Sequence, residues 1–229
     1  MTFSAKVLKF YQELELAETL PPGVAVMNPY QNASCMEVCR KFYKKFYNDR
    51  NKRILILGIN PGRYGAGITG IPFTDPIKLE TLFGIRNDLP KKPELSAEFI
   101  HTMIAAYGGY ERFFARFFIN SVSPLGFVAA GKNLNYYDTP LLKSSLEPFI
   151  RRSVGKLVKL GVYRDVVYCL GEGENYKFIQ RINAEEKWFR TIIPLAHPRF
   201  IMQYRRKFLS EYIGDFVQKL NLPIESACG

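Results

Sequence analysis

The stretch "RILILGINPGRYGAGITGIPF" (residues 53–73) decides how the chain is read, because it runs from a strand into a long, glycine-rich turn. Ile54, Leu55, Ile56, Leu57 and Ile59 make a short, continuous apolar run, the pattern of a strand buried on both faces. Asn60, Pro61 and Gly62 follow, all turn formers. Within the turn, Gly65, Gly67 and Gly70 spell a literal G-x-G-x-x-G. In a dinucleotide site those glycines carry the strand directly into a helix whose N-terminus faces the pyrophosphate. Here Asn60 to Tyr64 intervene before the triplet, and Pro72 and Pro76 follow where such a helix would open. The match lacks its context and is set aside.

Outward from this stretch, three further strands are expected: "FFINSVSPL" from Phe117, "DVVYCLG" over 165–171 and "TIIPLAH" over 191–197. Helices are expected over 3–19, around Cys35–Tyr47, within "SAEFIHTMIAAYGGYERFFARF", over "LLKSSLEPFIRRSVGKLVKLG", from Glu174 to about Asn183 and at the C-terminus. Short apolar strands alternating with helices imply an α/β fold, a three-layer α/β/α domain around a central four-stranded parallel sheet. One domain over residues 1–229, with an N-terminal helical extension over about 1–25, is the expected organisation. Ligands of such sheets sit at the carboxyl ends of the strands. Asn60, Asn120, Gly171 and His197 lie there, one at each strand end.

Composition narrows the partners. The 229 residues are 47% hydrophobic, enough for a buried core, and carry a formal charge of +11, which favours a polyanion through counterion release. No apolar run reaches membrane-spanning length, and "MTFSAKVLKFYQELELAETL" reads as an amphipathic helix and not a signal peptide. A cytoplasmic protein without a membrane role is expected. Cys35, Cys39, Cys169 and Cys228 form no disulfide framework for a chain of this size. Cys35 and Cys39 share a helix face, where core packing is their expected role; no metal and no cofactor are called for.

Taken together, the motifs resemble one family. "GINPGRYGAGITGIPF" is similar to the first motif of the single-strand-selective monofunctional uracil-DNA glycosylases, a branch of the uracil-DNA glycosylase superfamily. "FINSVSPLGF" resembles that family's base-reading strand, "GKNLNYYDTPLL" the loop after it, "CLGEGENYKF" its G-x-G turn and "LAHPRF" its His-Pro motif, in order over residues 27–200. The segment "PRFIMQYRRK" lacks the Ser-Pro-Arg run of the vertebrate branch and looks more like a bacterial sub-branch. The resemblance implies a monofunctional glycosylase that removes uracil, or a related deaminated or oxidised base, from DNA and leaves an abasic site for base excision repair. It implies a monomer associated with the bacterial nucleoid.

The resemblance also assigns roles. Asn60 would hold the attacking water and His197 would stabilise the departing base. Gly62 and Ala66 would border uracil C5, Phe73 would stack on the flipped ring and Asn120 would read its Watson–Crick edge. Gly171, Gly173, Arg199, Phe200, Arg205 and Arg206 would meet DNA. Each has a plainer alternative: core packing for Phe73, a turn cap for Asn120, a tight strand-to-helix turn for Gly171 and Gly173, and an amphipathic helix start for the basic segment. His101 is expected to be a surface or packing residue. A catalytically silent nucleic-acid-binding module of the same fold predicts the same basic charge; only the enzyme predicts release of free base.

Overall fold

The computed structural model describes residues 1–222; Cys228 lies outside them. The chain order is α1 (Phe3–Gln12), β1 (Val24–Met27), α2 (Ala33–Tyr47), β2 (Arg53–Gly58), α3 (Ala66–Thr69), α4 (Pro76–Phe83), α5 (Leu95–Tyr107), α6 (Tyr110–Arg116) and β3 (Phe117–Ser121). It continues through β4 (Gly126–Ala129), β5 (Lys132–Leu134), α7 (Pro140–Val158), β6 (Val162–Leu170), α8 (Glu174–Glu186), β7 (Thr191–Leu195), α9 (Pro198–Tyr204) and α10 (Leu209–Leu220). The four expected strands are β2, β3, β6 and β7. They form one parallel sheet in the order β3-β2-β6-β7, so the first of these four along the chain lies inside it. Every residue of β2 and β3 is buried, which explains the unbroken apolar reading of both.

Side-chain alternation assigns the two faces. Phe118 of β3 packs edge-on against Phe3 of α1, with ring centroids 5.2 Å apart, and near Tyr43 and Tyr47 of α2. Its neighbour Phe117 turns to the opposite face, against Tyr107 of α5 and Tyr168 of β6. Arg53 opens β2 wholly buried, yet its guanidinium is satisfied: two bonds to Asp49, at 2.6 and 3.1 Å, and one to the Phe114 carbonyl at 2.7 Å. A buried charge with that many partners is tolerated; alone it would not be.

Two expectations are corrected. Helix α1 stops at Gln12, not residue 19, because Glu13, Glu15 and Glu18 would stand at the negative end of the helix dipole, and Pro21 and Pro22 follow. A second sheet was not anticipated. Strands β1, β4 and β5 pair antiparallel in the order β1-β4-β5, with Val24 opposite Ala129 and Phe127 opposite Leu134. It covers the turn after β2: a Cβ at Gly126 would lie 2.6 Å from the Pro61 carbonyl and 2.4 Å from the Met27 methyl, so only glycine fits.

Candidate active site

A cleft of about 610 Å³ opens at the carboxyl end of the parallel sheet. Asn60, Gly62, Ala66, Phe73, His197 and Arg199 all line it, although residues 60 and 199 are far apart in the chain.

Asn60 is held by backbone on both sides of its amide. Its Nδ2 donates to the Leu134 carbonyl at 3.0 Å, and its Oδ1 accepts the Tyr136 N–H at 3.0 Å. A donor facing a carbonyl and an acceptor facing an N–H fix which way the amide points. Tyr136 is itself anchored: its hydroxyl donates to Asn175 Oδ1 at 2.8 Å, and Asn175 Nδ2 donates to the Leu170 carbonyl at the end of β6. The turns after β2 and β6 are thus tied through one buried tyrosine. The carboxamide keeps one Oδ1 lone pair for a further partner.

His197 caps α9. Its Nδ1 accepts the Arg199 N–H at 3.2 Å, which puts the ring proton on Nε2. Burial, with a smaller contribution from the Arg199 charge, pushes its pKa down to about 4. The imidazole is therefore neutral at physiological pH and presents an N–H donor. Neutral imidazole donors suit the stabilisation of a developing anion.

Phe73 lies at φ +53°, in the left-handed region that a phenylalanine rarely adopts, and its ring centroid is 6.3 Å from that of His197. His101 on α5 holds this conformation, its Nε2–H donating to the Phe73 carbonyl at 3.1 Å. Thr69 adds support by donating to the Thr74 carbonyl at 2.6 Å. His101 is buried, and burial pushes its pKa down to about 4, so it too stays neutral. Its bond to the strained turn goes beyond the packing role expected of it.

Residues 44–221 match the family model described as the uracil DNA glycosylase superfamily. The chain belongs to that superfamily. A curated protein of Rattus norvegicus, "Single-strand selective monofunctional uracil-DNA glycosylase", is 29% identical over 156 residues, 60% of this chain and 55% of its own. Its Mus musculus counterpart is 28% identical over the same shares. The alignment thus spans about half the length of these relatives. The crystal structure of wild-type Pedobacter heparinus SMUG2 is 44% identical and superposes with a TM-score of 0.93 over 96% of this chain and 97% of that one. The family read from the motifs is borne out, as is the four-stranded parallel α/β fold.

Not every residue named from the resemblance reaches the glycosylase-like cleft. Asn120 does not: its Nδ2 donates to the Tyr11 hydroxyl at 3.0 Å and its Oδ1 accepts the Ser121 N–H at 2.8 Å, on the α1–α2 face of the sheet. The next residue, Ser121, lines the cleft instead, because successive strand residues face opposite ways. Gly171, at φ +107°, donates its N–H to the Leu195 carbonyl at 2.7 Å, so that amide is closed to a phosphate and the residue serves the turn. Gly173 caps α8 with no side-chain bond. Arg199 is exposed at the cleft rim, and Phe200 is 42% exposed with the Arg205 guanidinium over its ring at 5.5 Å. Arg206 pairs with Glu98 at 3.0 Å.

Some cleft residues escaped the sequence reading. Asn133 and Lys132 come from β5, a strand with no local signature, and Glu94 from "LPKKPELS", which reads as a solvated loop. Burial, together with repulsion from Asp75, pushes the Glu94 carboxyl up to about 7. Among the described residues no group of three or more His, Cys, Asp or Glu is placed to hold a metal, and no helix is long and apolar enough to cross a membrane. Cys35 and Cys39 lie in the core.

Proposed function

We propose that the protein is a monofunctional DNA glycosylase that hydrolyses the N-glycosidic bond of uracil in DNA and leaves an abasic site. The observation that carries this reading is the meeting, in one cleft, of an orientation-locked Asn60 amide and a neutral His197 with its proton on Nε2.

A base inside a duplex is out of reach, so the nucleotide must be extruded into the cleft. Phe73 offers its ring to the extruded base, with its backbone already strained into place. Cleavage of C1′–N1 leaves positive charge on the sugar and negative charge on the base. The His197 Nε2–H donates to a base oxygen as that charge grows, an interaction of about 3 kcal/mol in comparable anion sites. Asn60 directs a water at C1′ through its free Oδ1 lone pair. A carboxamide cannot remove a proton at neutral pH, so the water attacks a loose, cation-like sugar and loses its proton to solvent afterwards. The water oxygen ends on C1′ and the base leaves with the bonding electrons, to be protonated. Small Gly62 and Ala66 leave room beside C5 for a water, which a 5-methyl group would displace without replacing its hydrogen bonds; uracil is accepted and thymine is not.

Around the cleft, Arg199, Phe200, Tyr204 and Arg205 offer the mixture of charge and exposed rings that suits entry into an opened duplex. The net charge of +11 supplies the long-range attraction. The protein acts as a monomer on chromosomal DNA, at the nucleoid of the cytoplasm.

The test is a set of oligonucleotides each carrying one modified base, incubated with protein, then cleaved with alkali and read on a gel, with an alkali-free set alongside. The expected result is alkali-dependent cutting at uracil, lowered about a hundredfold in Asn60→Ala. Binding without base release by the wild-type protein would favour the silent DNA-binding module.

A further inference from the structure

The cleft has two lips, and the α9 side is only one of them. The turn after β2 and the β4–β5 hairpin make the other, where Arg63, Tyr64 and Lys132 line the opening. The hairpin closes through Ala130 at φ +46° and Gly131 at φ +70°, the left-handed pair that a two-residue turn demands. Arg63 is tied to it twice: its backbone N–H donates to Asn133 Oδ1 at 3.2 Å, and its guanidinium donates to the Gly131 carbonyl. The same guanidinium donates to the Tyr64 hydroxyl at 3.1 Å and lies over that ring, 4.9 Å from its centroid. Lys132 follows the turn directly, so its exposed side chain starts next to the carbonyl that Arg63 grips.

Elsewhere in the molecule arginines meet carboxylates: Arg53 pairs with Asp49, Arg151 with Glu147 and Arg206 with Glu98. Arg63 spends two of its five N–H groups on neutral oxygens, and neither it nor Lys132 forms an ion pair among the described residues. Positive charge left uncompensated at the mouth of a cleft attracts phosphate. Tyr64 is 44% exposed, yet its hydroxyl and one ring position are already fixed by Arg63, so a base that stacks there orders little that is not ordered beforehand. The α9 lip has the same make-up, with exposed Phe200 beneath the Arg205 guanidinium. Strand β6 lies between β2 and β7, which sets the roots of the two lips about 10 Å apart, with the cleft between them.

On the glycosylase reading, we infer that Arg63, Tyr64 and Lys132 hold the lesion-bearing strand on the side of the cleft away from α9. Tyr64 stacks on the base next to the extruded nucleotide, and Arg63 and Lys132 take the phosphates beside it. The extruded nucleotide is joined covalently to its neighbours, so a lip at the cleft edge meets that strand before any complement. Stacking on a ring face and contact with phosphate carry no base code, so this lip adds affinity on any flanking sequence.

The experiment measures binding of a single-stranded oligonucleotide carrying one stable abasic analogue, by fluorescence anisotropy over a series of salt concentrations. The wild type is compared with Tyr64→Ala, Lys132→Gln and the double variant Arg63→Gln/Lys132→Gln. Urea melts report folding, and uracil release by the wild type is recorded alongside. Arg63 also ties the hairpin, so Tyr64→Ala and Lys132→Gln, which change exposed side chains, decide the matter if the double variant melts early. Tyr64→Ala is expected to bind about tenfold more weakly. The slope of log affinity against log salt should shrink by about 0.7 in Lys132→Gln and by about twice that in the double variant. Removing the base from the nucleotide on one side of the analogue should abolish the Tyr64→Ala penalty, and removing it on the other side should leave the penalty in place. A Tyr64→Ala protein that binds as the wild type, a penalty indifferent to both removals, or an unaltered salt slope in Lys132→Gln would overturn the lip while uracil release by the wild type stands. No uracil release by the wild type would instead remove the glycosylase reading, and the lip with it.

Discussion

The turns that follow β2 and β6 begin alike and end differently. Both leave neighbouring parallel strands, both are rich in glycine and asparagine, and both stand at the carboxyl rim of the sheet. After β2, the polar groups of Asn60 are held by the backbone of 134 and 136, with one lone pair still facing the cleft. After β6, Gly171 donates to Leu195, and Asn175 gives its amide to Leu170 and its oxygen to Tyr136. The second turn is closed and braces the first. A glycine-rich turn becomes a site only where its polar groups keep unused capacity, and sequence does not say which turn that is.

The contrast can be broken first at the open side. His197→Ala should lower the rate of uracil release by about 10²–10³ with a smaller change in DNA affinity, because the donor acts on charge that exists only during cleavage. Measured kcat and Kd that fall together would mean that His197 serves binding and not the chemical step.

A smaller effect is expected one layer behind the cleft. His101→Leu removes the donor that holds the Phe73 carbonyl, and uracil release should slow about tenfold, with recovery in His101→Gln. If Phe73→Leu is already in place, the same change should cost little more, since both act through the ring position. Additive losses in that double-mutant cycle would separate His101 from Phe73.

The closed turn should answer differently again. Gly171→Ala forces a Cβ onto φ +107°, and the expected cost is on the order of 1–3 kcal/mol of stability. Denaturant melts should show it, while base release per folded molecule stays as in the wild type. A loss of activity with unchanged stability would place Gly171 on the DNA after all.

The same physics explains what could be read from the sequence. Strands β2, β3, β6 and β7 were legible because each is a short apolar run bounded by turn formers, and the rim residues Asn60 and His197 follow once those strands are parallel. The β1-β4-β5 sheet was not, since its strands have 4, 4 and 3 residues and Val24 pairs with Ala129, 105 positions away. Parity along a strand is a finer matter: one step exchanges the faces, so Ser121 lines the cleft while the Asn120 amide bonds to Tyr11 on the other side. Glu94 could not be seen at all, for it enters the site only because the chain after Pro93 folds back over Gly62 and Gly65.

The central claim is that His197 enters the reaction as a neutral imidazole carrying its proton on Nε2. Side-chain ¹⁵N NMR of the histidines between pH 4 and pH 8 tests it directly. The account predicts a neutral ring, protonated at Nε2, down to about pH 5, with half-protonation near 4. An imidazolium at pH 6.5, or a neutral ring protonated at Nδ1, would contradict it.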